Sequence, residues 1–155
     1  MHDMEQLRYS ILALQREGNR MLMANLRPLG VTPAQAEVLT VVNDSGPLHL
    51  RQLGHLLVCE TGSPSRLVAS LVDKGLLERM ADPEDVRRLR ITLTEKGRTT
   101  VRKIQEIEAH WYQTILHQLP RSDSWRDIAA IILQGTAAGA ALKQRGLWPV
   151  TTGDR

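Results

Sequence analysis

The spacing of the apolar residues changes at Gly75, and this change constrains the fold more than any other feature of the sequence. Up to the glycine, leucines and valines recur every three or four residues, which is the period of a helix packed on one face. After the glycine they alternate with polar residues, which is the period of a strand. Residues 76–93 are therefore predicted to form a β-hairpin with its tip at residues 81–86.

Local start and stop signals predict six helices around this hairpin. The second has the clearest start, because Thr32 precedes a proline and Gln35 follows three residues later, as in a capping box. Gly75 is expected to cap the end of the fourth helix, and Thr94 the start of the fifth. The predicted helices are residues 3–27, 33–43, 50–58, 62 or 63 to 74, 94–120 and 122–145. Asp3 and Gln6 are expected to form a capping box in the first helix, and Leu50 is expected to be buried in the third. The third and fourth, separated by a tight turn, form a helix-turn-helix candidate.

The chain contains 3% aromatic residues and no phenylalanine. Its core must therefore be filled by aliphatic side chains and methionine, which suit packed helices. With 155 residues, 42% of them hydrophobic, the chain is expected to form one compact protein, mainly α with a small β-hairpin wing. A single cysteine, Cys59, excludes an intramolecular disulfide framework, and the lack of a secretory signal or membrane span predicts a cytoplasmic protein.

Two segments predict contacts between helices. The first helix carries a narrow, heptad-like apolar stripe, which is typical of a helix seated on another long helix. The stripe consists of Met4, Leu7, Ile11, Leu14, Gly18 and Met21. Residues 135–141 are seven small residues inside the predicted sixth helix. They predict a close helix crossing, because each interior glycine otherwise costs about 1 kcal/mol relative to alanine.

Four short motifs follow one another along the chain. They are Val31-Thr32-Pro33-Ala34-Gln35, Ser65-Arg66-Leu67-Val68, Leu71-Val72-Asp73-Lys74-Gly75-Leu76-Leu77-Glu78-Arg79, and Asp85-Val86-Arg87 followed by Leu93-Thr94-Glu95-Lys96-Gly97. In this order and at these spacings the chain resembles the MarR family of winged helix-turn-helix transcription regulators, over roughly residues 3–145. The resemblance implies a homodimer on palindromic double-stranded DNA. Residues 1–30 and 99–146 would then form dimerisation helices, residues 31–98 the winged helix-turn-helix region, and residues 147–155 a loose tail.

The resemblance also implies which residues meet DNA. Arg66, on the outer face of the fourth helix, is expected to form a bidentate contact to guanine, with a solvated arginine as the alternative. Arg87 matches the wing position that reaches the minor groove, and Asp85 is expected to hold its guanidinium through an ion pair. Arg88 and Arg90 are expected to contact phosphates or to be solvated. The candidate DNA-binding residues are Thr61, Ser63, Ser65, Arg66, Asp85, Arg87, Arg88 and Arg90. Pro64 and Glu60 depart from the family pattern, which leaves the helix start open by a residue or two.

Regulation is less constrained by the sequence. Cys59 is expected to be a small buried hydrophobe, with a thiol-oxidation switch as the alternative. Members of the family often release DNA when a small, commonly anionic aromatic molecule binds between the helical bundle and the winged region. The candidates for such a pocket are Tyr9, Arg16, Arg20 and Trp111. His110 and His117 lie seven positions apart, but two histidines are too few to indicate zinc, so no metal or cofactor is expected.

The function that best fits these observations is a dimeric, DNA-binding transcriptional repressor that a small ligand releases. An enzyme is not expected, because the sequence has no glycine-rich phosphate loop, no strong metal-ligand cluster and no base beside its cysteine. A winged-helix module that contacts only proteins remains the alternative, since a fold alone does not fix function. The net charge of +3 does not separate these two classes.

Overall fold

The computed structural model of the chain describes residues 2–58, 63–85, 87–116 and 124–149. Within them the fold is mainly helical with a small antiparallel sheet, which confirms the expected fold class. The elements are α1 (His2–Leu26), α2 (Pro33–Ser45), β1 (Leu48–His49), α3 (Leu50–Leu56), α4 (Pro64–Asp73), β2 (Leu77–Ala81), β3 (Leu89–Leu93), α5 (Glu95–Leu116), α6 (Ser124–Leu133) and α7 (Ala137–Gln144). None of the helices in these ranges combines the length and apolarity needed to cross a membrane.

The predicted capping box at the start of α2 is present and also fixes the position of α4. Thr32 Oγ1 accepts the backbone N–H of Gln35 at 3.2 Å, and Gln35 Oε1 accepts that of Thr32 at 3.0 Å. The buried Gln35 amide then donates to Ser70 Oγ on α4 at 3.0 Å, while Lys74 Nζ donates to Gln35 Oε1 at 2.8 Å. The capping residue Gln35 thus also forms a polar contact between α2 and α4, the second helix of the helix-turn-helix.

One apolar core joins the helix-turn-helix, the sheet and the first half of α5. Its buried members come from every element between the end of α1 and the middle of α5. They include Leu26, Leu39, Leu53, Leu71, Leu77 and Ile104. Because these elements share one core, the position of α4 depends on the packing of α2, α3 and the wing around it.

The sheet has a strand that the sequence did not predict. β1 pairs antiparallel with β3, with Leu48 opposite Ile91, so the strand order is β1-β3-β2. Two residues are too short to show alternation in a sequence. The prediction that Leu50 is buried is wrong, because the first turn of the seven-residue α3 lies beyond the edge of the core and leaves Leu50 40% exposed.

Both ends of the chain differ from the sequence predictions. α1 begins at His2, so Asp3 lies inside the helix and the capping box expected of it is wrong. The predicted sixth helix is two helices, because Gly135 adopts a φ of 73° and Thr136 caps α7. A Cβ added to Gly139 would lie only 2.2 Å from Leu133 O. The small residues thus allow a turn at Gly135 and a close approach between Gly139 and Leu133 of the same chain. The prediction of one continuous helix over this segment is wrong.

Candidate nucleic-acid interface

The start of α4 is fixed by Pro64, which occupies the first helical position. Proline suits this position because its φ is already helical and first-turn amides have no partner within the helix. α4 therefore begins one or two residues later than predicted, with Ser63 as its N-cap. This answers where the helix starts, which the sequence left open. Val68 and Leu71 are buried in the core, so the opposite face of α4, which carries Ser65 and Arg66, is exposed.

Arg66 lies in the first turn of α4, where the helix dipole also places partial positive charge. Its guanidinium has no hydrogen-bond or ion-pair partner among the residues that the structure describes, and its five N–H donors face solvent. The neighbouring Ser63 and Ser65 hydroxyls are hydrogen-bonded to each other. Thr61, a further predicted contact, lies outside the described residues, as do Cys59 and Glu60. The described part of α4 thus offers one free cation and two hydroxyl groups on a single surface.

A buried carboxylate that the sequence analysis missed organises the base of the wing. Asp82 is 3% exposed, and its carboxylate accepts the backbone N–H of Glu84 and the Arg90 Nε–H, each at 2.9 Å. His49 Nε2 lies 2.9 Å from the same carboxylate. The Glu84 N–H is the largest influence holding the pKa of Asp82 below its ordinary value; Arg90 and His49 add to it and burial opposes it. Asp82 therefore fastens the wing loop to both β1 and β3.

The geometry corrects two expectations for the wing. Asp85 Oδ1 accepts the backbone N–H of Arg87 at 3.1 Å, and Asp85 Oδ2 lies 3.3 Å from Arg88 Nε. The expected ion pair between Asp85 and the Arg87 guanidinium is therefore wrong, because a carboxylate that closes an Asx turn faces the backbone two residues on. Arg90 is not a free, solvated side chain, since its Nε–H pairs with Asp82; the expected phosphate contact stays a prediction. The exposed Arg87 guanidinium has no partner within the described ranges.

Loss of the Asp82 charge is expected to destabilise the fold in a pH-dependent way. The folded-state pKa of Asp82 is lowered, so its contribution is complete above its ordinary pKa of 3.8 and disappears as the pH falls through the lowered value. Urea unfolding should therefore show Asp82→Asn to be less stable than the parent chain at pH 7, with the difference shrinking toward pH 3. Asp44→Asn, at an exposed carboxylate, is the control. Equal stability of Asp82→Asn and the parent chain at pH 7 would contradict the assignment.

The predicted pocket residues divide between two places. Arg16 and Trp111 line one groove of about 690 Å³ between α1, α2 and α5, together with Leu12, Leu22, Pro33 and Val58. Trp111 Nε1 is buried without a hydrogen-bond partner within the described ranges. Tyr9 lines a second depression on α1, which Arg16 also lines, and Arg20 instead pairs with Glu17 at 2.7 Å. The structure thus places Arg16 beside Trp111 in one cavity and beside Tyr9 in the other.

The histidines offer no metal cluster in the part of the chain that the structure describes. Within it, no group of three His, Cys, Asp or Glu side chains is placed to hold a metal ion. His110 lies on α5 beside Trp111 in a shallow depression, whereas His117 falls outside the described residues. The candidate interface thus consists of arginines and hydroxyl groups.

Comparison with protein families and curated proteins places this region among winged-helix proteins. Residues 31–97 match a family model described as a winged helix DNA-binding domain. An HTH-type transcriptional regulator of Bacillus subtilis (strain 168), YkoM, is 34% identical over 80 residues, which are 52% of this chain and 52% of that protein. The multiple antibiotic resistance protein MarR of Escherichia coli (strain K12) is 31% identical over 84 residues, 54% of this chain and 58% of MarR. The matched region spans just over half the length of these relatives.

Solved structures extend the similarity beyond the matched sequence. A probable transcriptional regulator from Pseudomonas aeruginosa has a TM-score of 0.65 at 27% identity, covering 81% of this chain and 98% of its own. A mutant MarR from E. coli, complexed with operator DNA, has a TM-score of 0.71 at 23% identity, covering 84% and 93%. At that identity the second comparison shows a shared fold. The likeness in fold thus extends beyond residues 31–97.

Proposed function

We propose, from the premise that this chain belongs to the MarR family of winged-helix regulators, that it is a dimeric transcriptional repressor that binds palindromic double-stranded DNA. The observation that carries the proposal is the placement of two arginines that have no partner among the described residues. Arg66 lies on the outer face of α4, and Arg87 lies at the tip of the wing. A protein-contact module has no need of free arginines at both positions that would reach a DNA groove.

In this proposal α4 enters the major groove and the wing follows the adjacent minor groove. Arg66 reads guanine through two parallel hydrogen bonds, a contact worth about 1–3 kcal/mol of discrimination against the wrong base. Arg87 enters the minor groove, where a narrow A·T-rich segment concentrates negative potential. Ser63 and Ser65 contact phosphates near the positive end of α4, and Arg88 contacts phosphate from the wing. Thr61 remains a candidate.

Exposed apolar residues on α1 and on α6 support the proposed homodimer. Large aliphatic side chains are exposed along both helices, and Leu14 and Ile131 reach 74% and 75% exposure. The exposed residues include Met4, Ile11 and Leu14 on α1, and Ile128, Ile131 and Ile132 on α6. Apolar patches on the surface of a soluble protein mark association sites. A twofold dimer through these helices would place two copies of α4 on one face of a palindrome, about one helical turn or 34 Å apart.

Selection of bound sequences from random duplex DNA tests the class of function directly. The expected result is a palindrome whose half-sites are separated by about one helical turn of DNA. Failure to enrich any sequence would favour a protein-interaction module. Enrichment of a single, non-palindromic half-site would retain DNA binding and contradict the twofold arrangement.

The groove lined by Arg16 and Trp111 is the proposed site of an anionic aromatic effector. Arg16 supplies a cation, Leu12, Leu22 and Pro33 supply apolar walls, and the Trp111 N–H, which has no partner among the described residues, supplies a donor. Val58 also lines this groove and precedes α4 in the chain. An effector there would favour a spacing of the two α4 helices that does not match the operator.

Benzoate, a simple aromatic carboxylate, is expected to release the selected operator from the parent chain in a competition titration. Arg16→Met should raise the benzoate concentration required by about tenfold, because a hydrogen bond to a charged group is lost. Arg20→Met, one helical turn further along α1 and paired with Glu17, is the matched control and should leave the titration unchanged. Equal shifts in both variants, or none in either, would contradict the assignment of the groove.

A further inference from the structure

A largely buried carboxylate, Glu37 on α2, connects three separate parts of the chain. Glu37 Oε1 accepts a hydrogen bond from Arg145 Nη1 at 2.7 Å and another from the backbone N–H of Val58 at 2.8 Å. Arg145 follows α7 directly, and Val58 lies between α3 and α4. The Glu37 carboxylate therefore connects α2, the end of α7 and the segment that leads into α4.

This ion pair differs from the exposed pairs elsewhere on the chain. The Glu37 and Arg145 side chains are 11% and 17% exposed, and the residues are 108 positions apart in sequence. Removal of either partner from a buried pair leaves the other charge uncompensated, which is costly. Val58 comes after the end of α3, so its N–H has no place in a helical ladder and depends on the carboxylate instead. The position of the Val58 backbone is thus linked to Arg145.

Arg145 also faces a second carboxylate, on α5. Burial raises the pKa of Glu108, and the positive charge of Arg145 partly opposes this shift. The direction of Arg145 is set by the end of α7, where its backbone N–H donates to Ala141 O and Gly146 turns the chain at a φ of 67°. One arginine held by a helix cap thus faces α2, α5 and the approach to α4 together.

We propose that Arg145 is a positioning residue for DNA recognition, which holds Glu37 and through it restrains the Val58 backbone ahead of α4. The proposal rests on the function proposed above, because it requires α4 to enter DNA. α7 follows α6, which is part of the proposed dimer surface. Arg145 would therefore link the packing of the dimer helices to the distance between the two copies of α4. Loss of Arg145 releases the Val58 N–H, and α4 then samples a wider range of positions.

Amide hydrogen exchange and operator spacing together test this proposal in the full-length chain. Arg145→Met is expected to speed exchange at the Val58 amide and to weaken binding to the selected operator by about tenfold, within the range of measured couplings between sites. Its affinity should also depend less on half-site spacing when one base pair is added or removed. Affinity for an unrelated duplex should stay unchanged, because the phosphate contacts remain. Arg102→Met, an exposed arginine on α5, removes the same charge as a control.

Two further variants separate positioning from a loss of folding. Glu37→Gln keeps an oxygen for Val58 but removes the charge that Arg145 requires, so it should show a smaller form of the same changes. Arg145→Lys keeps the charge and should restore part of the operator affinity. Lower thermal stability with unchanged operator affinity and spacing preference in Arg145→Met and Glu37→Gln would overturn the proposal. Failure of the parent chain to bind any duplex would overturn the proposed function as well, whereas parent-like spacing preference in both variants would overturn this inference alone.

Discussion

Arg87→Ala is expected to weaken binding to the selected operator by about ten- to a hundredfold, corresponding to about 1–3 kcal/mol for a groove contact. The wing presents this guanidinium without a partner in the described residues, so the whole of its charge is available to the minor groove. The slope of log affinity against log salt should fall in magnitude by about one unit, because one fewer cation is released from the DNA. Fluorescence anisotropy titrations over a series of salt concentrations measure both quantities.

Two arginines provide comparisons for this variant. Arg88→Ala removes the same charge one residue further on, but Arg88 is paired with Asp85, so its effect should be smaller. Arg102→Ala, on α5 and away from the interface, should bind as the parent chain does. An unchanged affinity and salt slope in Arg87→Ala would remove the wing from the interface.

Gly97→Ala is expected to lower the free energy of unfolding by on the order of 3 kcal/mol, at the upper end for an overpacked site. Gly97 lies in the first turn of α5, where its N–H donates to the Thr94 hydroxyl oxygen at 3.0 Å, as the predicted Thr94 cap requires. A Cβ on Gly97 would lie 2.0 Å from Leu76 O. That carbonyl also accepts the Thr94 N–H at 3.1 Å, so it cannot move away without loss of a hydrogen bond. Thermal unfolding should shift downward by roughly 10 °C.

A second helical glycine is the matched control for this clash. A Cβ added to Gly54, in α3, would meet only the Pro64 ring at 3.5 Å, which is an ordinary contact. Gly54→Ala should therefore stabilise the chain by up to about 1 kcal/mol through helix propensity. Equal changes in the two variants would show that close approach to Leu76 is not what requires glycine at position 97.

Helix ends were predictable where one side chain satisfies backbone groups a few residues away. Thr32 with Gln35, Gly75 and Thr94 all act as the sequence indicated, because a cap depends on residue type at fixed spacing. The break between α6 and α7 was missed, since Gly135 and Gly139 are read as helical until the packing of Leu133 and Trp148 is known. Tertiary contacts decided that segment, and local propensity did not.

The candidate interface was predictable to a similar degree. Arg66 occupies an exposed position because helix periodicity fixes which side chains point away from the core, and Arg87 is exposed in the loop before β3. The ionic partners in the wing were not predictable. Asp82 meets His49 only because β1 pairs with β3, and a strand of two residues leaves no periodic signal. Asp85 accepts the backbone N–H of Arg87, and the pattern of charged side chains alone does not predict a hydrogen bond to the backbone.

The two proposals for regulation meet at Val58. Its side chain lines the groove proposed for the effector, and its N–H is held by the carboxylate that Arg145 engages. An effector in the groove and a movement of α7 would therefore act on the same few residues before α4. In Arg145→Met part of the restraint on these residues is already lost. Benzoate should therefore release the operator less effectively from this variant than from the parent chain.

Hydroxyl-radical footprinting of the parent chain on the selected duplex tests most directly whether α4 and the wing bind DNA as proposed. The expected result is a twofold-symmetric pattern, with two protected half-sites about one helical turn apart and flanking minor-groove protection that Arg87→Ala removes. A single asymmetric footprint, or flanking protection that persists in Arg87→Ala, would contradict it.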